Sequence, residues 1–147
     1  MSKDTSKIME EINRMKDLQE IKEYSDTHKE DVHYPRPMDY LLKCAEKHGI
    51  DSKCFKDKKI LDPSFAGKLI SGSRKPNRNH LLMFALLGKL TLDETQNLLK
   101  YGRATPLYPK VQRDSVIIFG LLNNFKLRDV DEALNDMGLE MIGRYKA

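Results

Sequence analysis

Apolar residues recur at helical spacing along most of this chain, and turn residues separate the segments in which they do so. In residues 5–25 the apolar positions recur with a period of about 3.6, and charged residues fill the positions between them. Ile8, Ile12, Met15 and Ile21 make up this stripe. The pattern predicts one amphipathic helix that binds a partner, forms a dimer or folds back on its own domain.

The segment that follows, "SDTHKEDVHYPRP", is polar and ends in two prolines. Pro35 and Pro37 exclude regular helix, so this segment is predicted to be a linker. We therefore expect three parts. Residues 1–37 are predicted to form the N-terminal amphipathic helix and linker, residues 38–103 a central domain, and residues 104–147 a C-terminal helical hairpin and tail.

Clear start and stop residues bound the helices of the central part. Asp62 is a good N-cap and Pro63 suits the first helical position, while Gly72 is placed as a stop. Thr91 and Glu94 have the spacing of a capping box. The predicted spans are 38–48, a short helix near 53–60, then 63–71, 79–89 and 92–101.

Two further helices are predicted after residue 111, and they repeat the preceding pair. A shift of 35 residues places "RNHLLMFALLGKLTLDETQNLL" on "RDSVIIFGLLNNFKLRDVDEAL", with six identities in 22 positions. Arg78 then aligns with Arg113, and Phe84 with Phe119. The pattern predicts two helical hairpins of similar design, although amphipathic hairpins in general share much of it.

Composition and charge limit the functional classes. Of the 147 residues, 39% are hydrophobic and 33% are charged, and no apolar run is long enough for a membrane span or a signal peptide. We therefore expect a soluble, cytoplasmic protein without membrane partners. The formal net charge is +4, but residues 43–78 hold ten basic and four acidic residues. Such a local excess either attracts phosphate backbones or forms a solvated lysine-rich face.

The residues that could support catalysis are scattered. No Ser/His/Asp set, Cys/His set or Gly-rich phosphate loop stands out, so we do not expect an enzyme or a cofactor. Cys44, His48 and Cys54 could be imagined as metal ligands, but a fourth ligand and a CxxC element are missing. Both cysteines are expected to be reduced thiols of the core.

The order of elements over residues 38–103 resembles the lambda-repressor-like (Cro/CI-type) helix-turn-helix family. Most of the resemblance lies in "LDPSFAGKLISGSRKPNRNHLLMFALLGKLTLDETQNLL". The "PLYP…RD" segment after it is similar to a subgroup of bacterial regulators. The resemblance implies an all-α, five-helix domain that contains a helix-turn-helix, extended by the N-terminal helix and the C-terminal hairpin.

The resemblance also implies a function and a set of site residues. It implies a DNA-binding transcriptional regulator, dimeric on symmetric sites, whose helix 63–71 enters the major groove. The helix is followed by "SGSRKPNRN", residues 71–79, which we call the basic loop. The implied DNA contacts, to bases and to phosphates, are Lys53, Ser64, Phe65, Gly67, Lys68, Ser71, Ser73, Arg74, Lys75 and Arg78.

Three residues differ from what the resemblance leads one to expect. Lys56 stands where the family usually has a small or apolar residue, and Ile60 stands where the turn usually has glycine. Gly67 lies inside the recognition helix, where glycine weakens helical structure. The alternative function is therefore a protein-interaction adaptor on a repressor-like scaffold that has lost DNA binding, with a protein partner on the C-terminal hairpin.

Overall fold

The computed structural model describes residues 4–28, 35–56 and 58–143. These residues form eight α-helices and one 3₁₀ helix and contain no β-strand, which confirms the all-α class. The helices are α1 (Thr5–Asn13), α2 (Leu18–Thr27), α3 (Pro37–Lys47), the 3₁₀ helix (Ser52–Lys56), α4 (Pro63–Ser71), α5 (Arg78–Leu87), α6 (Leu92–Tyr101), α7 (Gln112–Leu122) and α8 (Leu127–Asp136). No helix within these residues is long and apolar enough to cross a bilayer.

The chain divides into two compact units, Met1–Tyr34 and Pro35–Ala147. In the first unit, the prediction of one continuous helix over residues 5–25 is wrong, because α1 ends at Asn13 and α2 begins at Leu18. The side chain of Asp17 accepts a hydrogen bond from the Glu20 backbone N–H (2.9 Å) and so caps a new helix. The Asp17–Glu20 spacing was the sequence signal for this break.

The first unit buries little apolar surface. None of the described residues 4–28 is fully buried. The Tyr24 hydroxyl donates a hydrogen bond to the Glu11 carboxylate and thereby joins α2 to α1. Helix α2 extends to Thr27, so it includes the first residues of the predicted linker, and residues 29–34 of that linker lie outside the described residues.

Helix α5 lies at the centre of the second unit. Six consecutive residues, Leu81 to Leu86, are buried, as expected of a helix covered on all sides. It packs against α6, α8 and the 3₁₀ helix, and α6 in turn packs against α3 and α7. This unit holds the central domain and the C-terminal hairpin around one continuous hydrophobic core.

The helices of the second unit lie close to their predicted positions. The short helix near 53–60 is a 3₁₀ helix over Ser52–Lys56, and a turn follows at residues 58–60. Phe55 anchors the 3₁₀ helix by packing its ring edge-on against Phe84, with centroids 5.6 Å apart. Ile60 is buried in the same core, so an apolar side chain at this turn helps to hold the 3₁₀ helix near α4.

The two hairpins, α5–α6 and α7–α8, have equivalent hydrogen bonds between side chains and backbone as well as similar sequences. Arg78 Nε donates to the Thr105 carbonyl at 2.8 Å, and Arg113 Nε donates to the Glu140 carbonyl at 2.8 Å. In the first hairpin, Gln96 Oε1 accepts a hydrogen bond from the Leu107 N–H (2.8 Å). In the second hairpin, Asp131 Oδ1 accepts the equivalent bond from the Ile142 N–H (2.6 Å). Each equivalent pair is related by the same shift of 35 residues, so the sequence repeat is also a structural repeat.

The hairpins also exchange side-chain contacts, at what we call the repeat junction. Arg78 of the first hairpin donates from Nη1 and Nη2 to both carboxylate oxygens of Asp114, at 3.1 and 2.9 Å. Arg113 of the second hairpin donates to Asn79 Oδ1 at 2.8 Å. The carboxylate of Asp114 is almost fully buried and accepts a further bond from the Tyr108 N–H. Each hairpin thus supplies partners for polar groups of the other.

Candidate nucleic-acid interface

Helix α4 is held at both ends by the residues that the sequence indicated. The Asp62 carboxylate accepts from the Ser64 N–H (2.8 Å), and Pro63 occupies the first turn. Gly72 follows with φ of 90°, a left-handed conformation that favours glycine. Ala66 and Leu69 point into the core, which leaves the opposite side of the helix facing outward.

The outward face of α4 consists of Ser64, Gly67, Lys68 and Ser71. Ser64, Lys68 and Ser71 are exposed, and Gly67 is half-buried. A Cβ atom added at Gly67 would meet nothing within 4 Å. The glycine therefore has no packing role within the described structure, and it leaves the helix backbone open to close approach by a ligand.

Two serines of the predicted interface cap the end of α4. The hydroxyls of Ser71 and Ser73 both donate to the Lys68 carbonyl, at 3.2 and 3.3 Å. The Arg74 N–H donates to the same carbonyl at 3.1 Å. These bonds fix the start of the basic loop, and they use the hydroxyl protons that would otherwise be donated to a phosphate.

Phe65 supports Arg74. The Phe65 ring is half-buried and packs edge-on against the His80 ring, with centroids 5.3 Å apart. The Arg74 guanidinium lies over the same ring, with Cζ 5.4 Å from its centroid, a geometry in which the ring face attracts a cation. Phe65 therefore positions a cation of the basic loop instead of projecting freely from α4.

The remaining cations of the interface come from two places. Lys75 follows Arg74 in the basic loop and is exposed. Lys53 is exposed on the 3₁₀ helix, where its backbone N–H donates to Asp51 Oδ1 at 3.2 Å. Between Asp62 and Asp93 the chain contains no acidic residue. Helix α4 and the basic loop therefore supply positive charge without a carboxylate of their own to compete with a bound anion.

Arg78 differs from these cations because its guanidinium group binds other parts of the protein. All three guanidinium nitrogens are engaged within the protein, through Asp114 and the carbonyls of Thr105 and Pro106. We therefore assign it to the repeat junction and leave it out of the proposed interface. Its partner Asp114 lies 36 residues away, so no local sequence pattern distinguished it from Arg74 and Lys75.

Arg36 contributes to this surface although sequence reasoning missed it. Its Nη2 donates to the Ile70 carbonyl at 3.2 Å, and its guanidinium lies beside Gly72 at the end of α4. Nε forms an ion pair with Asp39 at 3.4 Å. Arg36 stands between two prolines in a segment predicted to be a linker, where nothing in the spacing indicates contact with a helix 34 residues away.

Cys44 and His48 belong to a hydrogen-bonded cluster around Glu94. His48 Nε2 lies 2.6 Å from Glu94 Oε1, and the Thr91 N–H donates to the same oxygen at 2.8 Å. Burial alone would raise the pKa of Glu94, but hydrogen bonds from Thr91, His48 and Cys44 outweigh it and lower the pKa to about 2. Burial raises the pKa of the Cys44 thiol.

Cys54 lies elsewhere, with its thiol directed at the Leu87 carbonyl (3.8 Å). Among the described residues, no group of three or more His, Cys, Asp or Glu side chains is arranged to hold a metal ion. The hydrogen bond between His48 and Glu94 ties the end of α3 to the start of α6.

A second candidate surface lies at the far end of the second hairpin. Phe119, Leu122 and Phe125, which we call the apolar patch, are 58%, 63% and 44% exposed. Two of their equivalents in the first hairpin are covered, with Phe84 0% and Leu90 1% exposed, and the third, Leu87, is half-buried. The 3₁₀ helix and its Phe55 cover that face of α5, whereas no described part of the chain covers the same face of α7.

No protein-family model, curated protein or solved structure matches the chain. Two surfaces of the protein point to a function: the outward face of α4 with the basic loop, and the apolar patch.

Proposed function

We propose that this protein is a DNA-binding transcriptional regulator. Helix α4 enters the major groove, and Arg74 and Lys75 of the basic loop, with Lys53, contact phosphates. The observation that most favours this function is the outward face of α4 and the loop after it, which present small polar groups and cations with no acidic residue among them. Contacts of this kind position a protein on the DNA backbone.

The order of helices is the second support. Helix α3, the 3₁₀ helix, α4, α5 and α6 follow one another in the order that a lambda-repressor-like domain has. In such a domain the second and third helices form the helix-turn-helix, and the third reads the groove. The 3₁₀ helix packs against α4, as this assignment requires.

The groove-facing residues favour weak discrimination between bases. Ser64, Gly67 and Lys68 include no Arg, Asn or Gln, the side chains that form bidentate contacts with bases. We expect most of the binding free energy to come from phosphate contacts, with modest preference among sequences. A dimer would double the contacts on a symmetric site.

Fluorescence anisotropy on a random-sequence DNA duplex across a salt series tests the proposal. The triple variant Lys68→Ala/Arg74→Ala/Lys75→Ala should bind at least about tenfold more weakly, and its salt slope should fall by about 0.9 for each phosphate that it no longer neutralises. The control Lys22→Ala/Lys110→Ala/Lys126→Ala removes the same charge from exposed positions outside the interface. An equal drop in affinity in both variants, or no binding by the wild type at low salt, would contradict the proposal.

The apolar patch favours a second candidate function, a protein-interaction adaptor. Exposed aromatic and aliphatic side chains that adjoin one another are typical of binding surfaces for other proteins. The rings of Phe119 and Phe125 lie 5.6 Å apart and form the centre of the patch. If the wild type binds no DNA, the adaptor is the function that the remaining surface supports.

A further inference from the structure

A cavity of about 280 Å³ opens beside the basic loop. It lies between the start of α3, the end of α4 and the turn that follows α6. Tyr101, Pro37 and Pro76 are half-buried and contribute apolar and aromatic surface to its lining, and the buried side chains of Met38 and Leu69 lie beneath them. Its volume is close to the lower limit of about 300 Å³ for small-molecule sites, so it suits a compact ligand.

Four cations surround this cavity. Arg36, Arg74, Lys75 and Arg103 line it, and none of the described residues that line it is acidic. They come from three separate segments: the start of α3, the basic loop and the turn after α6. The nearby carboxylate of Asp39 is paired with Arg36. A cavity with this composition is complementary to an anion that also has a planar or apolar part.

The backbone holds Arg36 in place. Its Nη2 donates to the Ile70 carbonyl (3.2 Å), and a Cβ atom at residue 72 would lie only 3.1 Å from Nη1. Glycine at position 72 therefore serves two purposes, since its φ of 90° ends α4 and its missing side chain leaves room for the guanidinium. One cation of the cavity is thus positioned before any ligand arrives.

We propose that this cavity binds a phosphate ester attached to a planar group, the chemistry of a nucleotide. The phosphate contacts the guanidinium groups of Arg36 and Arg103, and the planar group lies against Tyr101 and Pro76. Two sources offer this chemistry: a free mononucleotide, or a nucleotide of bound DNA. The inference goes beyond DNA binding, although the cavity shares Arg74 and Lys75 with the proposed interface.

The test uses Arg36→Gln/Arg103→Gln, which leaves unchanged the four cations named as DNA contacts, Lys53, Lys68, Arg74 and Lys75. Glutamine at position 36 remains polar but is two bonds shorter than arginine, so it gives up the hydrogen bond to the Ile70 carbonyl as well as the charge. The matched control, Lys110→Gln/Lys126→Gln, removes the same charge from exposed residues that do not line the cavity. Circular dichroism establishes that each variant is folded, and Arg103→Gln alone replaces the double variant if that one is not.

Isothermal titration calorimetry with AMP, GMP and inorganic phosphate forms the first arm. We expect a mononucleotide to bind more tightly than inorganic phosphate, which lacks the planar group. The cavity variant should weaken this binding at least tenfold, and the control should leave it within twofold. In the second arm, anisotropy on the DNA duplex measures whether the cavity variant lowers affinity and the salt slope.

The two arms identify the source of the phosphate. Nucleotide binding that the cavity variant abolishes indicates a free nucleotide, and it would stand even if the wild type binds no DNA. Weaker DNA binding by the cavity variant, without nucleotide binding to the wild type, indicates a nucleotide of DNA. The inference is overturned if the cavity and control variants behave alike in both arms.

Discussion

Glu94 is a buried carboxylate with partners on two helices. It accepts from the Thr91 N–H at the start of its own helix, α6, and from His48 at the end of α3, and Lys47 Nζ lies 3.8 Å from its Oε2. Burial would raise the pKa of Glu94, but the hydrogen bonds from Thr91, His48 and Cys44 outweigh burial and lower the pKa to about 2. The ionised carboxylate therefore contributes to the attachment of α6 to α3.

This pKa predicts how stability depends on acid. Because the folded state lowers the pKa of Glu94 from 4.5 to about 2, its contribution is complete above pH 4.5 and is lost as the pH falls towards 2. Glu94→Gln should lower the free energy of unfolding at neutral pH by up to about 3 kcal/mol. It should also weaken the dependence of that free energy on pH below 4.5. Urea unfolding at several pH values measures the free energy of unfolding. The prediction is contradicted if Glu94→Gln loses stability in acid as steeply as the wild type.

At the scale of the element, helix α4 contains a glycine that its packing does not need. Gly67→Ala should raise the melting temperature, because alanine favours helix by about 1 kcal/mol and its Cβ meets nothing within 4 Å. The same variant should bind DNA more weakly, since the added methyl group stands on the face that we propose to enter the groove. Thermal unfolding and DNA anisotropy on one sample report the two opposite effects.

Gly102→Ala provides the contrast for that experiment. A Cβ atom there would collide with Cδ1 of Leu81, which is fully buried and has no room to move. This variant should lower the melting temperature. If Gly67→Ala also lowers it, or leaves DNA binding unchanged, α4 does not have the role assigned to it.

The start and end residues of some helices could be predicted from the sequence better than those of others. Asp62, Pro63 and Gly72 marked both ends of α4, because caps and stops act within a few residues. The break between α1 and α2 was missed because the apolar stripe runs through it, although Asp17 signals a new start.

Long-range partners explain the two differences between the predicted site residues and the interface that we propose. Arg78 was assigned to the DNA interface because its partners, the carbonyls of Thr105 and Pro106 and the carboxylate of Asp114, are distant in sequence. Arg36 was missed for the same reason, since the Ile70 carbonyl that it contacts lies on a helix far along the chain.

At the scale of the whole molecule, the apolar patch marks where the repeat of hairpins stops. On α5 the equivalent face is covered by the 3₁₀ helix, whereas Phe119, Leu122 and Phe125 remain exposed. The sequence repeat predicted two similar hairpins. It did not indicate which of them would be covered, because the covering Phe55 lies outside the repeat.

We expect this patch to join two copies of the chain. Sedimentation velocity across a series of protein concentrations should show the wild type shifting from monomer to dimer as the concentration rises. Phe119→Ser/Leu122→Ser should be monomeric with an unchanged melting temperature, because both side chains are exposed in the single chain. Tyr108→Ser, at an exposed residue outside the patch, is the control. A dimer that persists in the double variant would place the interface elsewhere, as the α1–α2 unit would allow.

The repeat junction has a consequence for how the protein unfolds. Arrays of repeated hairpins often unfold one unit at a time, since each unit interacts mainly with its neighbour. Here, unfolding of the second hairpin would remove the Asp114 carboxylate from Arg78, and unfolding of the first would remove Asn79 from Arg113. A partly unfolded chain would thus lose the side-chain acceptor of Arg78 or of Arg113. We therefore expect the two hairpins to unfold together, in a single cooperative transition.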